Sequence, residues 1–164
     1  MLTQSQRMTT AAEARFRIKE PNSRKRDSLI IALDQDARKV IGDLIGLEWN
    51  GAHFHYVAEG ADPSALDDVQ IVTPSGEKQN LAAALKTADV VMMVATHDTP
   101  AEVVKAVGEN CFRSRVMTSG FVLDESGDGD RLEATLSAVR PFVVSLVVGT
   151  DEDFLIETLR AIRA

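Results

Sequence analysis

The chain has 164 residues, 45% hydrophobic and 26% charged, with a net charge of −7. That length fits one domain, and the composition is that of a folded protein, which excludes a wholly disordered chain. The longest apolar runs, Val90 to Ala95 and Phe142 to Val148, are far short of the ~20 residues that cross a bilayer, and a lone cysteine, Cys111, excludes an intrachain disulfide or a multi-cysteine metal site.

Residues 1–26 hold seven Lys or Arg against two acids, a net of +5, which leaves −12 on residues 27–164. An acidic body repels nucleic acid and anionic membrane, so any nucleic-acid contact would come from the basic tail. The N-terminus lacks the apolar central stretch of a secretory signal, and a cytoplasmic protein is expected. Residues 8–19 could form a short helix, Pro21-Asn22-Ser23 breaks the pattern, and a single α/β domain is expected over 27–164.

In chain order, Ser28 to Leu33 reads as a buried strand, and Ala37 to Leu47 places Val40, Ile41, Leu44 and Ile45 on one helical face. Ala52 to Val57 is the second strand, Pro63 to Leu66 a short turn, and Val69 to Thr73 a weaker strand. Asn80 opens a helix through Lys86, and Asp89 to Ala95 is the clearest strand. Thr99-Pro100 starts the next helix, with Val103, Val104 and Val107 on one face. Arg115 to Thr118 and Phe121 to Leu123 read as a strand interrupted by Ser119-Gly120, and Asp124 to Asp130 as a polar loop. Leu132, Leu136 and Val139 mark a helix, Phe142 to Val148 the last strand, and Phe154, Ile156, Leu159 and Ile162 the closing helix. Apolar strands alternating with amphipathic helices predict a three-layer, doubly wound, mostly parallel sheet of Rossmann-like type.

Ligands of such sheets bind outside the carboxyl ends of the strands. That rule selects Asp34 and Asp36 after the first strand, Thr96, His97 and Asp98 after the central one, Thr118 and Ser119 after the next, and Thr150 after the last. Asp36 and Asp98 also suit helix N-caps. Asp34, Asp36 and Asp98 could hold Mg²⁺, which prefers carboxylate oxygen. His53 and His55 alternate on one strand and share a face, as a two-histidine ligand pair would, without a third ligand nearby in sequence. Thr118-Ser119-Gly120 lacks the full glycine-serine-glycine elbow of a nucleophile turn.

Three stretches, Gly51 to Leu66, Asn80 to Val94 and Leu136 to Val148, follow one another at a characteristic spacing. Through them the chain from Asp27 to Phe154 resembles the nucleotide-binding half of the tubulin-like bacterial cell-division GTPases. Where that family has glycine-rich phosphate loops, this chain has Asp34 to Arg38 and Ala95 to Ala101. The resemblance therefore implies a tubulin-like scaffold without a functional GTP site, and no catalytic residue, GTP or NAD is expected. Receiver domains of two-component signalling are a weaker comparison: Asp98 would be the phosphoacceptor, and Gly149-Thr150 replaces the expected lysine. The function expected on this basis is a non-catalytic protein-interaction or regulatory domain, with a protein partner or self-association. The alternative is a small-ligand or Mg-dependent enzyme with its site at the carboxyl edge of the sheet.

Overall fold

The computed structural model describes residues 25–59, 68–97, 99–125, 127–162 and 164. The expected helix over residues 8–19, the turn at Pro63 to Leu66 and Asp98 lie outside the described residues. Among the described residues seven strands form one sheet in the order β4-β3-β2-β1-β5-β6-β7. They are β1 (Ser28–Ala32), β2 (Ala52–Val57), β3 (Gln70–Val72), β4 (Lys78–Asn80), β5 (Val90–Thr96), β6 (Met117–Leu123) and β7 (Ser145–Gly149). Five run parallel, whereas β3 pairs antiparallel with β2, and β4 antiparallel with β3.

Side-chain alternation along the strands explains both covering layers, because successive residues point to opposite faces. On one face Ile30, Ala32, Met92, Val94, Phe121 and Leu123 pack against α1 (Gln35–Leu44) and α5 (Glu152–Ala161), through Ala37, Ile41, Leu44, Leu155 and Leu159. On the other, Leu29, Ile31, Val91, Met93, Ala95 and Val122 meet α2 (Leu81–Ala84), α3 (Ala101–Ser114) and α4 (Gly129–Val139). The three-layer α/β fold expected from the sequence is the fold observed. Strands buried on both faces have no polar alternation, which is why β1 and β5 read as continuous apolar runs.

Three local expectations change. The segment after β3 does not pass directly into a helix but turns at Thr73 to Glu77 and returns as β4, with Ile71 opposite Gln79. Thr73 N–H donates to the Glu77 carbonyl at 2.9 Å, and Gly76 takes the positive φ (90°) that glycine tolerates best. Lys78-Gln79-Asn80 carries no apolar signal, so its strand state comes from pairing with β3.

β6 runs unbroken through Ser119-Gly120. A Cβ on Gly120 would lie 2.8 Å from Val139 Cγ1 and 2.9 Å from Leu146 Cδ1, so the glycine gives close packing rather than a break. Phe142 belongs to a 3₁₀ turn (Arg140–Phe142) that prolongs α4, and β7 begins only at Ser145. Phe142 is drawn away from the sheet because it fills the space above Gly108 of α3, where any Cβ would overlap its ring.

Candidate functional site

The winding of the sheet reverses between β1 and β5. From β1 the chain crosses through α1 on one face, and from β5 it crosses through α3 on the other. Loops that part in this way leave a crevice at the carboxyl edge, the usual ligand position in open parallel sheets.

Here one side chain bridges that crevice. Asp34 is the N-cap of α1, and its Oδ1 accepts the Ala37 N–H at 2.8 Å. Its Oδ2 accepts the Thr96 N–H at 2.9 Å and the Thr99 hydroxyl. Thr96 N–H also points at Thr99 Oγ1, 2.9 Å away, and Thr99 N–H donates to the Thr96 carbonyl at 3.2 Å. Both carboxylate oxygens are thus engaged by donors from α1 and from the turn after β5.

Beside this bridge, on the α1 and α5 face, lies an open cleft of about 380 Å³. Its lining is Asp36, Lys39, Val40 and Asp43 from α1, Thr96 and His97 from the end of β5, Leu123 and Glu125 from the end of β6, and Glu152 from the start of α5. Among the described residues four carboxylates face one lysine, and that lysine is already paired: Lys39 Nζ lies 2.6 Å from Asp36 Oδ1. The hydrogen bond and charge of Lys39 hold the Asp36 carboxyl below its usual value, with His97 adding to the effect. A field of this sign favours cations and disfavours phosphates. Asp151 caps α5 beside the cleft, accepting the Phe154 N–H at 2.8 Å.

Of the residues selected from the sequence, Asp36, Thr96 and His97 line the cleft and Asp34 sits at its back. Thr150 stands at the same edge, its hydroxyl 3.3 Å from Asp151 Oδ2, but outside the lining. Thr118 and Ser119 lie at the amino end of β6, the opposite edge of the sheet, because the strand does not stop where Ser119-Gly120 suggested. Thr118 Oγ1 donates to the Val116 carbonyl at 3.0 Å, and Ser119 Oγ accepts from Ser145 Oγ at 2.9 Å. Among the described residues no group of three or more His, Cys, Asp or Glu could hold a metal ion. The carboxylates Asp34 and Asp36 do not converge: one is consumed by N–H and O–H donors, the other by Lys39.

Lys39, Asp43, Glu125 and Glu152 are not singled out by the sequence, and Val40 is marked there only as part of the apolar face of α1. The signal available was the spacing of Asp36, Lys39 and Asp43, which puts all three along one stripe of α1.

His53 and His55 line a second cleft, of about 370 Å³, at the amino end of the sheet with Asp27, Thr73 and Gln79. They do not act as a pair. His53 is exposed, with Nε2 3.7 Å from Asp27 Oδ1, whereas His55 is buried, with Nε2 2.6 Å from Gln79 Nε2 and Nδ1 3.3 Å from the His53 carbonyl. This network assigns the neutral tautomer with its proton on Nδ1, so that Gln79 donates to Nε2.

No protein-family model and no curated protein matches the chain. Solved structures that match include a protein assigned as a flavoprotein from Bacteroides eggerthii DSM 20697, 13% identical over 85% of this chain and 99% of that one, with a TM-score of 0.48. Another is a flavoprotein in complex with FMN from Lactobacillus acidophilus NCFM, 12% identical over 81% of this chain and 97% of that one, with a TM-score of 0.44. At these identities and scores no ligand is transferred from either protein.

These findings correct the tubulin-like reading: both structures named here are described as flavoproteins, and neither as a GTPase. Counted among the parallel strands alone, the order is 2-1-3-4-5, the flavodoxin-like winding. The earlier resemblance rested on apolar runs at regular spacing, which any doubly wound sheet of alternating strands and helices produces. With it falls the expectation of a non-catalytic, tubulin-like interaction scaffold.

Proposed function

We propose that this chain is a small-molecule-binding α/β domain whose ligand occupies the carboxyl-edge cleft between α1 and the start of α5. The observation that supports the reading most is the coincidence of a cleft of about 380 Å³ with the ends of β5 and β6, next to the reversal of the sheet.

The ligand class follows from the lining. Asp36, Asp43, Glu125 and Glu152 against the paired Lys39 suit a neutral or positively charged molecule. A phosphate-bearing flavin such as FMN does not fit the residues present. Its phosphate would need the N–H and O–H donors at the start of α1 and the end of β5, and these are already taken by the Asp34 carboxylate. Thr96 and Leu123 would contact the body of the ligand, while the carboxylates would orient an amine or a hydrogen-bond donor.

A thermal-shift panel of spermidine, adenosine, riboflavin and FMN, at matched ionic strength, tests this. Stabilisation by an amine or a neutral ring compound, reduced by Glu152→Lys, is the expected result. Stabilisation by FMN above riboflavin would overturn the assignment of ligand charge, and no response to any member would remove its support.

A further inference from the structure

The flavodoxin-like winding and the residues at its reversal disagree about anions, and the disagreement has a single structural source. In parallel α/β sheets the N-terminus of the first helix and the neighbouring loop offer N–H groups to a bound anion. The same kind of donor set is present here: Ala37 N–H from α1, Thr96 N–H from the end of β5, and the Thr99 hydroxyl. All three converge on one carboxylate, that of Asp34.

We infer that Asp34 determines ligand specificity at the switch point, serving as a built-in anion that fills the position a ligand phosphate or carboxylate would take. Its Oδ1 and Oδ2 together satisfy donors from the first turn of α1, on one face of the sheet, and from the end of β5 and the turn that leads into α3, on the other. A ligand phosphate entering there would have to displace a covalently attached competitor, of the same sign of charge and at very high effective concentration. It would also meet Asp36 in the first turn of α1. The chain therefore rejects phosphorylated ligands at this point while keeping the geometry that binds them.

This inference rests on the reading of the switch point as the ligand-binding edge, and its test fails separately from that reading. The probes are inorganic phosphate and formate, with chloride at equal ionic strength as control, on the full chain carrying Asp34→Gly. Removing the carboxylate should lower the melting temperature by several degrees. Phosphate or formate should then restore it saturably, with the amide resonances of Ala37 and Thr96 moving downfield together. The unmodified chain and Asp34→Asn, whose side chain still fills the place, should respond to phosphate no more than to chloride.

Should Asp34→Gly not fold in plain buffer, refolding it with each anion gives the same readout. Recovery with phosphate or formate but not chloride supports the inference, and recovery with none counts against it. Equal responses to all three anions, or static Ala37 and Thr96 amides, would overturn it. In that case a ligand that still binds at Asp43 and Glu152 would leave the proposed function standing. Conversely, anion rescue in a protein that binds no small molecule would leave only Asp34's role.

Discussion

The Asp34 carboxylate accepts the backbone N–H of Thr96 across 2.9 Å, joining the end of β1 to the end of β5 where the sheet reverses its winding. Hydrogen bonds to a charged group contribute about 1.5–3 kcal/mol each, and removing the acceptor leaves partly buried donors without a partner. Asp34→Ala should therefore destabilise the fold by about 2–3 kcal/mol, and Thr99→Val, which removes one donor, by about 1 kcal/mol. Urea unfolding of the two variants would show this as a fall in midpoint at constant slope.

Two glycines within helices should respond in opposite senses to the same substitution. A Cβ on Gly108 would overlap the Phe142 ring and lie 2.7 Å from Phe142 Cβ, so Gly108→Ala should cost about 1–3 kcal/mol. Gly42, inside α1, has nothing within 4 Å of an added Cβ. There, alanine should stabilise by about 0.5–1 kcal/mol through helix propensity. Thermal unfolding of both variants checks the pair.

His55 should make stability depend on pH. Burial holds its pKa below the usual imidazole value, with a hydrogen bond to the His53 carbonyl opposing the shift and the charge of His53 adding to it. Because the folded state resists a proton that the unfolded chain accepts near pH 6.5, stability is full above about 6.5 and falls as pH drops towards the folded pKa. Gln79→Glu would place a carboxylate where the Gln79 amide now meets Nε2 at 2.6 Å. That should raise the His55 pKa and reverse the sign of the trend. NMR titration of the His55 ring protons in both proteins measures the shift directly.

Cys111 lies buried in α3, and burial pushes its thiol pKa up to about 11. The thiolate is the reactive form, so alkylation at pH 8 should be slow in the folded protein. Adding urea through the unfolding transition should release labelling in step with loss of structure, read by intact-mass spectrometry. Fast labelling without urea would contradict the burial.

The parts of the fold legible in the sequence were those where burial on both faces leaves an unmistakable apolar run, as in β1 and β5. Errors arose where tertiary packing decided the local state. Lys78-Gln79-Asn80 is a strand only because β3 pairs with it, and Gly120 is small because Val139 and Leu146 press on it. Misreading Gly120 as a break moved Thr118 and Ser119 to the wrong edge of the sheet. The sequence places Asp36, Thr96 and His97 at the carboxyl edge, where they line the cleft, because the carboxyl-edge rule depends only on topology. Glu125 is hidden by the break read at Ser119-Gly120, which puts the end of β6 too early, and Glu152 by the packing of the closing helix across the sheet.

Chemical-shift mapping on the ¹⁵N-labelled full chain, titrated with spermidine and riboflavin, is the most direct test of the carboxyl-edge site. A ligand in the cleft should move the amides of Lys39, His97, Glu125 and Glu152 saturably, with the effect lost in an Asp43→Lys, Glu152→Lys double variant. Shifts that cluster elsewhere, or that persist unchanged in the double variant, would contradict the assignment of this cleft as the binding site.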